Sequence, residues 1–455
     1  FMDVIAAIAT GSATTAIGIV RVAGEGCFAL CNQIFRAANG RPFSDQAPRS
    51  MVLGEVLDAA GGVLDHGLAV RFPAPHSYTG EDCAEFHCHG SPVVLREVLS
   101  ALFAVGARQA RAGEFTRRAF LNGQLDLTQA EAVSDLIAAE TAAAAKHAAA
   151  QLDGVLRRDF EDIYNRLLDI SAQFYAVVDY PDEDIADLDL TELSAALETS
   201  EATLSRLLAT CDRGRVLKSG VPAVILGRPN VGKSSLLNAL LGYDRAIVTA
   251  TAGTTRDTVE EPLLLGGVLL RLTDTAGLRQ TQDPIEAQGV TRAKAAAERA
   301  ELSLLVLDGS APATEEDRLA LSIALTAPHC IAVVNKSDLP PCLDAAALSP
   351  GFSAVLSVCA KTGEGLSALD AAVAALYPAG EIPPGEILTT QRQQETAGRA
   401  RDAIRRGREA LLAGFTPDAI LSDVEEALSA LGEMTGKTAR EEIVSRIFER
   451  FCVGK

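Results

Sequence analysis

Residues 221–235 read VPAVILGRPNVGKSS, and the way this stretch folds decides how the whole chain is organised. A largely apolar run ahead of Gly227 predicts a buried strand. The following SSLLNALLG (234–242) predicts a helix, so the glycines between them mark a tight connecting loop. The spacing Gly227-x-x-x-x-Gly232-Lys233-Ser234 suits phosphate binding: glycines let backbone N–H groups curl around phosphate oxygens, the lysine reaches the β- and γ-phosphates, and the serine hydroxyl can ligate Mg²⁺. Asn230, Val231, Gly232, Lys233, Ser234 and Ser235 are therefore expected to line a nucleotide site.

Two further motifs follow in the order such a site requires. LRLTDTAG (270–277) ends a predicted strand in Asp274, Thr275, Ala276 and Gly277, placing a metal-side carboxylate and a backbone amide toward the γ-phosphate. IAVVNKSD (331–338) ends another in Asn335, Lys336, Ser337 and Asp338. An aspartate there accepts from both the ring N–H and the exocyclic amine of guanine, and adenine offers no matching donor pair, so GTP is favoured over ATP. VCAKTG (358–363) supplies Cys359, Ala360 and Lys361, with a cysteine where Ser-Ala-Lys is usual; the base contact expected there is mainly through backbone. These motifs resemble the translation-factor-like class of GTPases.

Leu278 stands where many GTPases carry the glutamine that orients the attacking water, so another group has to take that role. Asn230 and the loop TATAGTTRD (249–257) resemble GTPases that bind K⁺ beside the phosphates. By that resemblance Thr249, Ala250, Thr251, Ala252, Gly253, Thr254 and Thr255 contact the nucleotide. K⁺ is held by Asn230 with Thr249, Thr251 and Thr254, Mg²⁺ by Ser234 and Thr255, and Glu286 orients the water.

Outward from this core, the chain changes texture. Residues 1–118 alternate short β-like runs such as AIGIVRV (16–22) and HGLAVRF (66–72) with turns, predicting an α+β domain. Residues 119–215 turn Ala-rich and helical, with Thr128 and Glu131 at capping-box spacing predicting a helix start. DYPDEDIADLDLTE (179–192) carries seven acids and no base, and reads as a solvated interruption. Residues 216–378 form the strand–loop–helix segment, and 379–455 are helical again after YPAGEIPPGE (377–386). Packing 119–215 against 379–455 gives one bundle with the α/β domain inserted. The expected fold class is thus multidomain: an α+β N-terminal domain, an all-α helical bundle and an inserted Ras-like α/β P-loop GTPase domain.

The 455 residues carry 41 basic and 60 acidic side chains, a net charge of −19, which disfavours tight binding of a polyanion through the overall field. Arg392, Arg399, Arg401, Arg405, Arg406 and Arg408 form a local basic run, read either as a solvated helix face or as a tRNA or partner contact. Nine scattered cysteines read as reduced thiols, Cys27 and Cys31 among them as core residues. His147, in an Ala-rich helix, is given no special role. HCHG (87–90) lacks paired metal-ligand spacing, and alternation sets Cys88 on the face opposite His87 and His89. With no basic leader and no uncharged apolar run of about 18 residues, a cytoplasmic protein with no membrane span is expected.

HSYTGEDCAEFHCHG (76–90), RAGEFTRRAFLNGQLDLTQAEA (111–132), DYPDEDI (179–185), AGTTRD (252–257), DTAGLR (274–279) and the final FCVGK (451–455) together resemble the MnmE (TrmE) family across the N-terminal, helical and G domains. That resemblance implies a homodimer that forms a heterotetramer with the flavoprotein MnmG (GidA). The complex would add a carboxymethylaminomethyl or aminomethyl group at C5 of the wobble uridine U34 of certain tRNAs. The tRNA would be gripped mainly through the partner. It further implies a dimerising N-terminal domain that binds a reduced folate, 5,10-methylene- or 5-formyl-tetrahydrofolate, through Arg21, Glu85 and Lys455. Gln124 falls where the family commonly has lysine. Cys452 is the candidate catalytic thiol, beside Lys455 and Arg450. The competing reading is an assembly GTPase of the Era/Der type, but neither a basic RNA-binding domain nor a second G domain is recognisable.

Overall fold

The computed structural model describes residues 3–11, 13–179, 190–243, 261–273, 286–344, 351–378, 383–449 and 451–454; the side chains of 176–179, 243 and 286–289 lie outside that description. From the N-terminus come β1 (Ile5–Ile8), β2 (Ile17–Ala23), α1 (Cys27–Ile34), β3 (Phe35–Ala37), β4 (Val52–Leu57), β5 (Val63–Phe72), β6 (Cys83–His89), α2 (Pro92–Ala104) and β7 (Arg108–Gln109). They build a seven-stranded sheet in the order β3-β4-β5-β6-β2-β1-β7, antiparallel except for the β1–β7 pair. Strand alternation gives this sheet two different faces. Val20, Val22, Ala84, Phe86 and Cys88 pack in one core with Cys27, Cys31, Leu95, Val98 and Leu102 from α1 and α2. On the other face Ile5, Ala7, Ala23 and Cys83 pack against Phe115.

Phe115 belongs to α3 (Glu114–Leu121), which leads into α4 (Leu127–Ala138). The start of α4 differs from the expected capping box. Asp126 Oδ1 accepts from the Gln129 amide at 2.8 Å, and Gln129 Oε1 accepts from the Asp126 amide at 3.1 Å. The box is therefore Asp126–Gln129, while Thr128 and Glu131 are buried. Both pairs share the same spacing, and the charged Asp126 is the stronger cap.

Next are α5 (Ala142–Leu152), α6 (Val155–Asp179), α7 (Leu190–Leu208), α8 (Cys211–Ser219), β8 (Val221–Leu226), α9 (Lys233–Tyr243), β9 (Glu261–Leu265) and β10 (Val268–Leu272). After them come α10 (Glu286–Arg299), β11 (Leu302–Asp308), α11 (Glu315–Ala324), β12 (His329–Asn335), β13 (Ala354–Ser357) and α12 (Leu366–Leu376). Helices α13 (Gln391–Leu412), α14 (Pro417–Thr435) and α15 (Glu441–Phe448) end the chain. Helix α6 buries Leu156, Phe160, Ile163, Leu167, Ile170 and Phe174, one stripe at helical spacing, and packs against α14. Each such side chain contributes about 1.5–3 kcal/mol on burial.

Strands β8–β13 form a six-stranded sheet in the order β13-β12-β11-β8-β10-β9, parallel except for edge strand β9. Alternate residues of β8 serve its two faces: Val221, Ala223 and Ile225 enter one core, Val224 and Leu226 the other. In contact terms the chain divides into two compact units. One comprises 1–134, 149–204 and 395–455; the other comprises 135–148 and 205–394. Among the described residues no helix is long and apolar enough to cross a membrane.

Candidate functional site

The parallel strands β8, β11 and β12 end side by side, and the loops leaving their carboxyl ends form the crevice where open α/β sheets bind ligands. The loop after β8 carries Asn230 at φ +63°, a left-handed conformation that asparagine tolerates better than most side chains. Gly232, at φ +99°, has no room for a side chain: a Cβ would lie 2.2 Å from the Asn335 side-chain nitrogen. Lys233 opens α9, and its Nζ donates to the Gly227 and Arg228 carbonyls, each at 2.7 Å. Burial lowers the lysine's pKa, and the nearby Arg228 charge adds to this. The ammonium is thus held over the loop at the amino end of a helix, where an anion is favoured.

Asn335, buried at the end of β12, joins two loops. Its Nδ2 donates to the Val231 carbonyl at 2.8 Å, and its Oδ1 accepts from the Ala360 amide at 3.0 Å. Lys336 follows at φ +66°, with its Nζ donating to Asp308 at 2.6 Å, and the Ser337 amide donates to the Val358 carbonyl. The Cys359 thiol donates to Asp338 Oδ1 at 3.3 Å. The cysteine side chain thus holds the Asp338 carboxylate, a contact beyond the backbone role expected for position 359. Its backbone is held in a turn, with the Cys359 amide donating to the Glu364 carbonyl and the Thr362 and Gly363 amides donating back to the Cys359 carbonyl. Ala360 and Lys361 continue that turn.

The second cluster lies on the N-terminal sheet. Arg21 and Glu85 face each other across β2 and β6, and Arg21 Nε donates to Glu85 Oε1 at 2.9 Å. The Arg21 guanidinium also lies 5.3 Å from the Tyr78 ring centre and 5.7 Å from that of Phe115. The two rings were missed in the sequence because a lone aromatic carries no spacing signal. Across the carboxylate, His87 Nε2 stands 3.4 Å from Glu85 Oε2. Gln124 lies against Gly80, in the same loop as Tyr78.

Residues 451–454 reach this sheet. Val453 forms a bridge with Ala112, and the Gly113 amide donates to the Cys452 carbonyl at 3.4 Å. Gly454, at φ +101°, packs on the end of β1: a side chain there would meet the Ile8 carbonyl at 2.3 Å. Phe451 is buried against Phe448, which packs on Phe120 of α3. Cys452 itself is exposed.

Several residues expected from sequence lie outside the described residues: Thr249, Ala250, Thr251, Ala252, Gly253, Thr254, Thr255, Asp274, Thr275, Ala276, Gly277, Arg450 and Lys455, together with the acidic stretch 180–189. Glu286 begins α10, but its side chain is likewise outside the description.

Three other readings are refined. The basic run on α13 is matched by acids. Arg399 pairs with Glu433, Arg401 with Asp402, Arg405 and Arg408 with Glu201, and Arg406 with Asp423 and Glu426. His147, given no role in the sequence, is buried and accepts a hydrogen bond from the Gly385 amide at 3.0 Å. Burial lowers its pKa to about 4, so it is a neutral pin for the segment before α13. In HCHG, Cys88 is buried, as is Cys83 ahead of it on β6, and His89 Nδ1 contacts Asp65 at 2.7 Å.

The family model described as "MnmE helical domain" matches residues 127–452, and "GTP-binding protein TrmE N-terminus" matches residues 4–124. The tRNA modification GTPase MnmE of Symbiobacterium thermophilum is 44% identical, covering 100% of this chain and 99% of that protein. That of Thermus thermophilus is 44% identical with the same coverage, and that of Akkermansia muciniphila is 42% identical over 99% of this chain and 98% of its own.

Proposed function

The chain belongs to the MnmE family of tRNA modification GTPases, and from that premise we propose that it hydrolyses GTP within a complex that modifies the wobble uridine U34 of certain tRNAs. In this reading the flavoprotein MnmG (GidA) is the partner in a heterotetramer, the chain is a homodimer, and a reduced folate supplies one carbon. The observation that carries the proposal is the seating of the tail: Val453 on Ala112 and Gly454 on Ile8 bring residues 453–454 to the sheet that holds Arg21 and Glu85. An assembly GTPase of the Era/Der type has no use for such a junction. Arg21, already hydrogen-bonded and ringed by Tyr78 and Phe115, offers a cation beside apolar walls, a combination suited to a pterin or to the carboxylates of a folate.

On the nucleotide side, the phosphate loop and Lys233 would hold the phosphates, and Asp338 would select guanine. The donor set fits two cations: the Ser234 hydroxyl with Thr255 for Mg²⁺, and Asn230 with Thr249, Thr251 and Thr254 for K⁺. When bound, these ions supply positive charge at the phosphate oxygens. Glu286 would orient the attacking water in place of the missing glutamine. Pairing of the α13 arginines with internal acids supports a tRNA grip that rests mainly on the partner. In this reading the domains run 1–118, 119–215, 216–378 and 379–455, and the protein works in the cytoplasm.

The test is calorimetric titration of the full-length protein with 5-formyl-tetrahydrofolate, beside an Arg21→Ala variant. Saturable binding by the wild type that the variant loses supports the proposal. No binding by the wild type favours the assembly-GTPase reading.

A further inference from the structure

Arg228 follows the first glycine of the phosphate loop, and the consensus spacing gives it no task. Its side chain nevertheless turns toward the carboxyl end of β11 and meets two buried carboxylates. Arg228 Nε donates to both oxygens of Asp317, at 3.2 and 3.1 Å. Its Nη2 stands 3.8 Å from Asp308 Oδ2, the atom that accepts from Lys336 Nζ at 2.6 Å.

Both carboxylates are themselves fixed. Asp317 Oδ2 accepts from the Thr314 amide at 3.0 Å and the Thr314 hydroxyl at 2.8 Å, closing the capping box of α11. Asp308 Oδ1 accepts from the Ser310 amide at 3.0 Å and its hydroxyl at 2.7 Å. Arg228 is thus anchored to a strand end and a helix start, while its own carbonyl receives the Lys233 ammonium.

We infer that Arg228 is a positioning residue for nucleotide binding: it fixes the start of the phosphate loop to Asp317 and Asp308 and, through Asp308, to Lys336 of the guanine loop. The physical need is clear. A glycine-rich loop loses much conformational freedom on ordering, and its amides bind phosphate best when they are already aimed. Asn335 makes one link between the phosphate and guanine loops from inside; the Arg228–Asp308–Lys336 chain makes a second. Both links set binding, so their loss should appear in affinity rather than in the hydrolytic step.

The test measures GDP and GTP dissociation constants and saturated turnover for the full-length protein. Arg228→Met should weaken both nucleotides about 10-fold, as expected for a lost charge-assisted hydrogen-bond pair, with turnover at saturating GTP within about 3-fold. Arg228→Lys should recover part of the affinity. Asp308→Asn should also weaken binding, and Arg228→Met should add less on that background than alone. Ser303→Ala removes a buried hydroxyl that donates to the Ala324 carbonyl at the far end of α11 and touches none of Arg228, Asp317 and Asp308, so it should lower the melting temperature and leave affinity within about 2-fold. Unchanged affinity in Arg228→Met overturns the inference, as does an equal loss in Ser303→Ala. Should Arg228→Met fail to fold, Arg228→Lys and Asp308→Asn decide the matter by the same affinity readout.

Discussion

The Asn335 side chain spans the nucleotide crevice to the Val231 carbonyl, 2.8 Å away, while its other end holds the Ala360 amide. One buried amide thereby joins the phosphate loop to two loops of the guanine side. Asn335→Ala removes two hydrogen bonds and leaves a buried carbonyl and a half-buried amide without their partner, a cost of about 2–3 kcal/mol. GTP affinity should fall by at least about 30-fold. Fluorescent-GDP titration checks this, and an affinity within twofold of wild type would mean the loops are held elsewhere.

Cys359 should matter through its sulfur. Cys359→Ala frees the Asp338 carboxylate and should weaken GDP binding about 3- to 5-fold, in line with one weak hydrogen bond. Cys359→Ser should match or exceed wild type, since O–H is the stronger donor. Equal affinities for all three proteins would return position 359 to a purely backbone role.

GTP turnover should rise when Na⁺ is replaced by K⁺ at constant ionic strength, and Asn230→Ala should lose that response while still binding nucleotide. In the same assay Glu286→Ala should turn over at least ~10²-fold more slowly, the low end for general acid–base groups. Salt-independent turnover would remove K⁺ from the account, and a fully active Glu286→Ala would remove the glutamate.

His147 makes stability depend on pH. Its folded pKa, about 4, is depressed by burial below the ordinary 6.5, so the unfolded chain binds the proton more readily. Its contribution is intact above pH 6.5 and is lost as pH falls from 6.5 toward 4, by about 3 kcal/mol in all. His147→Gln keeps an acceptor for the Gly385 amide and does not titrate. The wild type should therefore lose melting temperature relative to this variant as pH is lowered from 7 to 5. Parallel curves would contradict a buried neutral imidazole.

The sequence carried some of this plainly and hid the rest, for physical reasons. The strand, loop and helix at 221–243 were legible because apolar runs and glycines act locally. The Asp126–Gln129 cap was misplaced because Thr128–Glu131 has the same spacing, and only the backbone path selects between them. Arg228 with Asp317, Cys359 with Asp338 and His147 with Gly385 were invisible because each joins distant segments. The α13 arginines looked like a free basic patch until Glu201 and the acids of α14 came beside them.

If the C-terminal tail serves the N-terminal site with Cys452 as its chemical group, tRNA modification by Cys452→Ser in the presence of MnmG, GTP and reduced folate is the decisive measurement. The tail's hold on Ala112 and Ile8 uses backbone and glycine, not the thiol, so the substitution should leave folate binding, GTP hydrolysis and dimerisation intact. The account predicts that modified uridine disappears while those three properties persist. Full modification by Cys452→Ser would contradict it, leaving the tail as a closing segment with no chemistry of its own.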